Sequence, residues 1–185
     1  MKILLISHSS LLKGPRQLRQ IKIIKKNPDN QLDCIGSESS GLEDNYFNLS
    51  SYPFYIEVIR VFLLKFGFYK LYFWDRFKRN LYRKIKNNKY DLIILHEIRN
   101  APLAFAISNG TPIILDAHEY SPSNFDDSFL WRFFIKKYYT RLCEKYIIEF
   151  DKILTVSSGI ANEYKKVFNT DQYSLSILNN NKVAA

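Results

Sequence analysis

The sequence predicts an α/β protein built on a parallel, doubly wound sheet, and three observations carry that expectation. Short apolar runs recur along the chain, four of them lack the period-two alternation of a half-exposed strand, and stretches with helical spacing lie between them. A strand that is apolar on both faces needs cover on both faces. Helices supply that cover most economically when the strands run parallel and the connections cross over the sheet.

Taken in order, the first run is KILLIS, Lys2 to Ser7. Its apolar core is too short for a secretory leader and no small-residue cleavage site follows, so it reads as a strand. Helical spacing covers Arg16 to Lys26, and LDCIG, Leu32 to Gly36, is the second strand. After the aromatic stretch treated below come strand DLIILH (Asp91 to His96), helix Ala101 to Ser108 and strand PIILDA (Pro112 to Ala117). A helix is expected over Phe129 to Phe150, where Trp131, Ile135, Tyr138, Leu142 and Tyr146 form one stripe. Strand KILTVS (Lys152 to Ser157), helix Ser158 to Phe168 and a weaker strand YSLSIL (Tyr173 to Leu178) complete the pattern. Asp91 and Asp151 each stand just ahead of a strand and read as turn residues. There is no internal repeat, and no Pro/Gly/Ser linker divides the 185 residues, so one domain is expected.

Charge and cysteine usage narrow the function classes. The 27 Lys and Arg against 18 Asp and Glu give a net charge of +9, which favours an anionic partner: nucleic acid, a phosphorylated metabolite or an acidic lipid surface. Cys34 and Cys143 have neither CxxC nor Cys/His spacing, which argues against a disulfide framework or a zinc site and suits a reducing cytosol. The longest apolar region, Tyr55 to Trp74, is interrupted by Glu57, Arg60, Lys65 and Lys70, so no transmembrane helix is expected.

In a doubly wound sheet ligands bind beyond the carboxyl ends of the strands, where loops converge and helix N-termini point at the crevice. His8 follows the first strand, His96 and Glu97 the DLIIL strand, Asp116, His118 and Glu119 the PIIL strand, and Ser157 and Ser158 the KILTV strand. A lone strand-end histidine is as a rule structural. All three histidines of the chain fall at this one edge, which points to a site.

The stretch YDLIILHEIRNAPLAFAISNGTPIILDAHEYSP resembles the acceptor-half motif of family 4 glycosyltransferases of the GT-B fold, in which a strand ends in His, a PLA-type helix follows and the next strand ends in a His-containing turn. KGPRQLRQIKIIKK resembles the family's first helix, opened by a Pro-Arg pair. EKYIIEFDKILTVSSGIANEYKKVF resembles its Glu, Asp and Thr-Val-Ser block, carried here by Glu144, Asp151, Thr155, Val156 and Ser157. The resemblance covers most of the chain outside Glu38 to Lys89.

It implies a Rossmann-like N-terminal, acceptor-type domain over residues 1–178, with an interdomain linker starting at 179–185 and the donor-binding domain lying outside this sequence. The implied enzyme is a nucleotide-sugar-dependent transferase building cell-surface glycans such as lipopolysaccharide or capsule, and this chain alone is expected to be inactive. A non-catalytic module that recognises a partner subunit or an anionic membrane is the alternative. No metal or cofactor is expected in the chain itself, since the nucleotide-sugar would sit mainly on the missing half.

Within the resemblance, His96 and His118 are the expected catalytic residues, Glu97, Asp116 and Glu119 the expected binders of acceptor hydroxyls, and His8 a further substrate-binding residue. For Glu119 a turn cap is an equal alternative. Many members carry paired glycines after the first strand where this chain has only Gly14, which shifts any phosphate contact there to Arg16. Ser157 or Ser158 can offer a hydroxyl and helix N-terminal amides to an anion or simply cap the helix, and the two roles coexist.

From Tyr52 to Tyr90 aromatics such as Phe54, Tyr55, Phe62 and Phe66 interleave with Arg60, Lys65, Lys70, Arg76, Arg79 and Arg83, opposed only by Glu57 and Asp75. Such a mixture suits peripheral docking on the inner, anionic face of a membrane, consistent with a lipid-linked acceptor. Helices that bury their aromatics against the sheet fit it too, and the two readings apply to opposite faces. Without an RNP, KH or zinc-knuckle motif, a nucleic-acid partner is not expected. In RFKRNLYRKIK, the charges of Lys78, Arg79, Arg83 and Lys84 are expected on one exposed helical face.

Overall fold

The computed structural model describes residues 1–49, 52–121, 129, 131–168 and 175–177. Seven parallel strands form one sheet in the order β3-β2-β1-β4-β5-β6-β7: β1 (Lys2–Ile6), β2 (Gln31–Gly36), β3 (Asn45–Asn48), β4 (Leu92–His96), β5 (Ile113–Ala117), β6 (Lys152–Thr155) and β7 (Leu175–Ile177). The chain winds outward from β1 in one direction and from β4 in the other, which is the doubly wound Rossmann-like arrangement.

Alternation along each strand sends side chains to two separate cores. Ile3 and Leu5 of β1, with Leu32 and Cys34 of β2, face α1 (Pro15–Lys25), which buries Ile21 among them. Leu4, Ile6, Ile93, Leu95, Ile113 and Leu115 face the larger layer. That layer comprises α2 (Phe54–Lys65), α3 (Tyr69–Phe73), α4 (Arg76–Ile85), α5 (Ala101–Ser108) and α6 (Lys136–Tyr146), and α7 (Ser158–Phe168) adds the fully buried Tyr164.

Local chemistry sets the helix limits. Pro15 opens α1, where a missing amide hydrogen costs nothing. Asp75 caps α4 by accepting from the Lys78 backbone N–H at 2.9 Å. Asn109 and Gly110, at φ 46° and 86°, end α5 in the left-handed conformation that Gly tolerates best and Asn better than most residues.

At the opposite rim of the sheet from the strand-end histidines, aspartates join neighbouring strands. The Asp91 carboxylate accepts from the Lys2 N–H at 2.7 Å, Asp151 from the Ile113 N–H at 2.7 Å, and Asp44 from the Leu32 N–H at 2.6 Å.

Several expectations change in detail. β3 is an edge strand of four residues, NYFN, with no apolar run to announce it. The helix expected over Phe129 to Phe150 is α6 flanked by a π-helical turn at Trp131–Ile135 and a 3-10 turn at Ile147–Glu149. Its stripe holds at Tyr138 and Leu142, which are buried, and at the half-buried Ile135 and Tyr146, whereas the Trp131 side chain lies outside the described residues. Only 175–177 of the last expected strand, and none of 179–185, are described.

Lys78 does not share an exposed face with Arg79, Arg83 and Lys84. Its side chain is 15% exposed and its ammonium binds Asp75 at 3.1 Å. Asp75 also binds Arg60 at 3.0 Å, and Arg60 reaches Glu57 at 2.7 Å, so one ionic cluster ties α2 to α4, and the Tyr72 hydroxyl joins α3 to it by donating to Glu57 at 2.9 Å. Among the described residues no helix is long and apolar enough to cross a membrane.

Candidate functional site

Strand alternation decides which groups meet. Residues 92, 94 and 96 of β4, and 114 and 116 of β5, share the face covered by α1, and register places His96 directly opposite Asp116. Helix α1 meets them with one polar side, Arg16, Gln17 and Gln20. Arg16 Nε donates to Asp116 Oδ2 at 2.8 Å and its Nη2 to Oδ1, a two-pronged clasp on a carboxylate that is 0% exposed. Gln20 Nε2 donates to the same carboxylate at 2.6 Å, and Gln17 Nε2 to Ser7 Oγ at 3.4 Å.

These bonds fix the protonation pattern of both histidines. With its NH₂ spent on Asp116, Gln20 turns Oε1 toward His96 Nε2 at 3.0 Å, so Nε2 must carry the hydrogen. Burial pulls the His96 pKa down to about 4, the neighbouring Asp116 opposing, so the ring is neutral and Nδ1 keeps its lone pair. His118 Nε2 lies 3.1 Å from that Nδ1 and therefore donates to it, the two rings being stacked at 5.3 Å. Burial also lowers the His118 pKa. His118 is consequently neutral, its Nδ1 is an acceptor with no hydrogen-bond donor among the described residues, and it is half-buried where His96 is sealed.

A catalytic role for His96 would call for access to substrate. At 0% exposure it is instead a buried link between Gln20 and His118. His96, Asp116 and His118 place one ligand-type atom each within 4.8 Å of one another, a spacing that would admit a metal ion. The set does not fit one well: Arg16 already neutralises Asp116, and the facing ring nitrogens are matched as donor and acceptor.

The remaining expected residues lie around this relay. Glu97 adopts φ 69°, rare for a residue with a Cβ, and burial raises its carboxyl pKa; Ser9 Oγ donates to it at 3.5 Å. His8 is half-buried, its Nδ1 has no partner among the described residues, and burial followed by the charges of Arg99 and Lys78 takes its pKa to about 3. Glu119 is exposed, and its carbonyl accepts from Tyr164 Oη at 3.1 Å. Ser157 and Ser158 are exposed at the start of α7, where Ser157 Oγ accepts from the Ile160 N–H at 3.3 Å, the bond of an N-cap.

Gln20, Ser9 and Arg99 escaped the sequence reading. Only for Gln20 was there a signal, the i, i+4 pairing of Arg16 and Gln20 on the helix turn that follows the first strand. Three buried polar groups near this edge have no partner among the described residues: His8 Nδ1, Arg16 Nη1 and the amide of Asn100, which is 0% exposed. Unmet donors and acceptors are what a hydroxyl-rich ligand satisfies.

Comparison with known proteins places the geometry in context. The model of Glycosyltransferase Family 4 matches residues 30–180. No curated protein matches the chain in sequence. Among solved structures, the lipopolysaccharide outer core galactosyltransferase WaaB in its apo form is similar with a TM-score of 0.51 at 14% identity, over 96% of this chain and 45% of that one. HepE of Anabaena in complex with UDP-glucose gives 0.53 at 15% identity, over 90% and 40%. A UDP-N-acetylglucosamine 2-epimerase from Listeria monocytogenes gives 0.52 at 8% identity, over 94% and 44%. At these identities the likeness is one of fold, which transferases and epimerases share. The chain spans less than half the length of each of these structures.

Proposed function

The chain belongs to glycosyltransferase family 4, and on that premise we propose that it forms the acceptor-binding half of an enzyme moving a sugar from a nucleotide-sugar to a glycan or lipid-linked acceptor. The observation that carries this reading is the relay from Gln20 through His96 to His118, which ends in one neutral nitrogen at the strand-end edge. A hydroxyl about to attack a sugar must be held in line, and a fixed acceptor for its hydrogen does that while drawing density onto the oxygen. His118 Nδ1 is that acceptor. His96, sealed from substrate, is the positioning residue that dictates which His118 nitrogen faces outward.

Glu97 and the exposed Glu119 suit further hydroxyls of the acceptor. The start of α7, an eleven-residue helix, suits an anionic group of the substrate. The donor is bound mainly by a second α/β half, supplied by a longer chain or a partner subunit.

Membrane docking and a role in cell-surface glycan synthesis extend the same proposal. The outer side of α2 exposes Phe54 (85%), Tyr55 (67%) and Ile59 (67%) beside Lys65, an amphipathic surface suited to an acidic headgroup layer on the cytoplasmic side.

The test uses the chain joined to or co-expressed with a family 4 donor-binding half, following transfer of labelled sugar from a panel of nucleotide-sugars. His118→Ala should lower turnover by at least ~10²-fold with the fold intact. Undiminished turnover would remove His118 from the site. The 185-residue chain alone should transfer nothing, and robust transfer by it would overturn the acceptor-half reading.

A further inference from the structure

Away from the strand-end site, a groove of about 700 Å³ runs between α3 and α6. Its floor is apolar and buried, with Phe73 at 4%, Tyr138 at 3% and Leu142 at 6% exposure, while Phe68 and Leu71 stand 57% exposed on its wall. Its rim is cationic. Lys137, Arg141 and Lys145 follow one another at i, i+4 and i+8 along α6, and Lys70 adds a fourth charge from α3. No Asp or Glu lines the groove, and no carboxylate among the described residues forms an ion pair with these four.

Two of the four lie over rings instead: Arg141 sits 5.5 Å from the centre of Tyr69 and Lys145 4.8 Å from Tyr146. The floor also keeps the Tyr138 hydroxyl, which has no partner among the described residues and which burial holds protonated.

An apolar trough with an unbroken cationic rim selects an occupant that is both greasy and anionic. A second copy of the chain seated here across a two-fold axis would bring the α6 stripe against like charges. A nucleic acid would satisfy the rim and leave the aliphatic wall in contact with phosphate and water. We propose that this groove binds a single anionic lipid, one hydrocarbon chain lying on Tyr138 and Leu142 and its phosphate held between Lys137 and Arg141. The site is distinct from general adsorption of α2 to a membrane, because it recognises a lipid molecule dispersed in water. It does not depend on sugar transfer at the strand-end edge.

The experiment is calorimetric titration of the intact chain with dioctanoyl phosphatidic acid below its micelle concentration. Dioctanoylglycerol and glycerol 3-phosphate serve as the tail-only and head-only controls. Phosphatidic acid should bind at least ~10-fold more tightly than either control. Lys137→Gln with Arg141→Gln should weaken it about 30-fold, the effect of two basic residues at an anionic lipid. Leu71→Asp, at an exposed wall position where folding is not at stake, should weaken it by at least ~10-fold. Equal binding of glycerol 3-phosphate would reduce the groove to an ion site, and equal binding of dioctanoylglycerol would reduce it to a greasy one; either overturns the proposal. So does the absence of phosphatidic acid binding, or unchanged affinity in both variants. None of these readings requires turnover, so they stand apart from any failure of the transferase assignment.

Discussion

Replacing Arg16 by Ala should destabilise the protein severely, and the size of the loss follows from how Asp116 is held. The Asp116 side chain is 0% exposed and that of Arg16 15%, so the anion has no access to water and its countercharge almost none. Three donors meet the carboxylate: Arg16 Nε at 2.8 Å, Arg16 Nη2, and Gln20 Nε2 at 2.6 Å. Arg16→Ala removes two of them together with the only cationic side chain among the described residues that pairs with this carboxylate, leaving a buried anion on one neutral amide. Breaking a buried pair from one side costs about 3–5 kcal/mol. In a domain of this size that corresponds to a fall in Tm of roughly 6 to 20 °C, at about 2–4 °C per kcal/mol.

Asp116→Asn is the informative partner, since it removes the charge that Arg16 neutralises while keeping an acceptor for Gln20. The double variant should therefore recover at least ~1.5 kcal/mol relative to the sum of the two single losses. Urea unfolding at pH 7.5 followed by tryptophan fluorescence gives all four free energies. A loss below ~1 kcal/mol for Arg16→Ala, or additivity of the two changes, would refute the reasoning that α1 is anchored through a desolvated ion pair.

The other expectations are more local. In ¹⁵N-histidine spectra at pH 7, His96 and His118 should both show the Nε2–H tautomer, and Gln20→Ala should release His96 from it; an Nδ1–H signal for either in the wild type contradicts the relay. Burial lowers the folded pKa of His8 to about 3 and of His96 to about 4, against about 6.5 unfolded. The stability they contribute is therefore whole above pH 6.5 and is lost as pH falls toward those folded values, where the unfolded chain takes up protons that the folded one refuses. Each of these two histidines should cost about 1.4 kcal/mol between pH 7.5 and 5.5; His118, whose pKa burial also lowers, adds to the fall and Glu97, whose carboxyl burial raises, opposes it, so the urea midpoint should drop, and a flat or rising midpoint would contradict the reasoning. Vesicles containing acidic lipid should bind the chain with a salt-sensitive and a salt-resistant part. Arg79→Gln, Arg83→Gln and Lys84→Gln together should remove most of the former without unfolding α4, and failure of the wild type to bind at low salt ends the docking proposal.

What the sequence made legible, and what it hid, divides along the physics of the signal. β1, β2, β4, β5 and β6 were readable because a buried parallel strand is a continuous apolar run, and the α7 region because its apolar residues keep helical spacing. β3 was not, since NYFN at a sheet edge is half-exposed and its pairing is made by backbone groups common to every residue. The clustering of His8, His96 and His118 at one edge was legible through strand order alone. The burial of His96 was not, because it depends on α1 folding back over β4. Nor was the role of Gln20, whose amide looks in sequence like any other surface glutamine. The segment Tyr52 to Tyr90 admitted two readings, and its faces differ accordingly: Leu64, Phe73, Leu81 and Ile85 are buried against the sheet while Phe54, Phe62 and Phe66 are exposed.

The aspartates at the lower rim bear on how the chain finds its register. A parallel strand of alternating-face apolar residues loses little side-chain burial by slipping two places along its neighbour, so side-chain packing alone discriminates weakly against such misalignments. Asp91, Asp151 and Asp44 each supply a charge-assisted bond to one particular amide of the adjacent strand, and a two-residue slip of about 6.6 Å would break it outright. Alignment is thereby enforced at the rim remote from the histidines. The loops carrying His8, Glu97 and His118 can then be exchanged or lengthened without the strands beneath them shifting, which makes this sheet a chassis for transplanting strand-end loops from other proteins of the same fold.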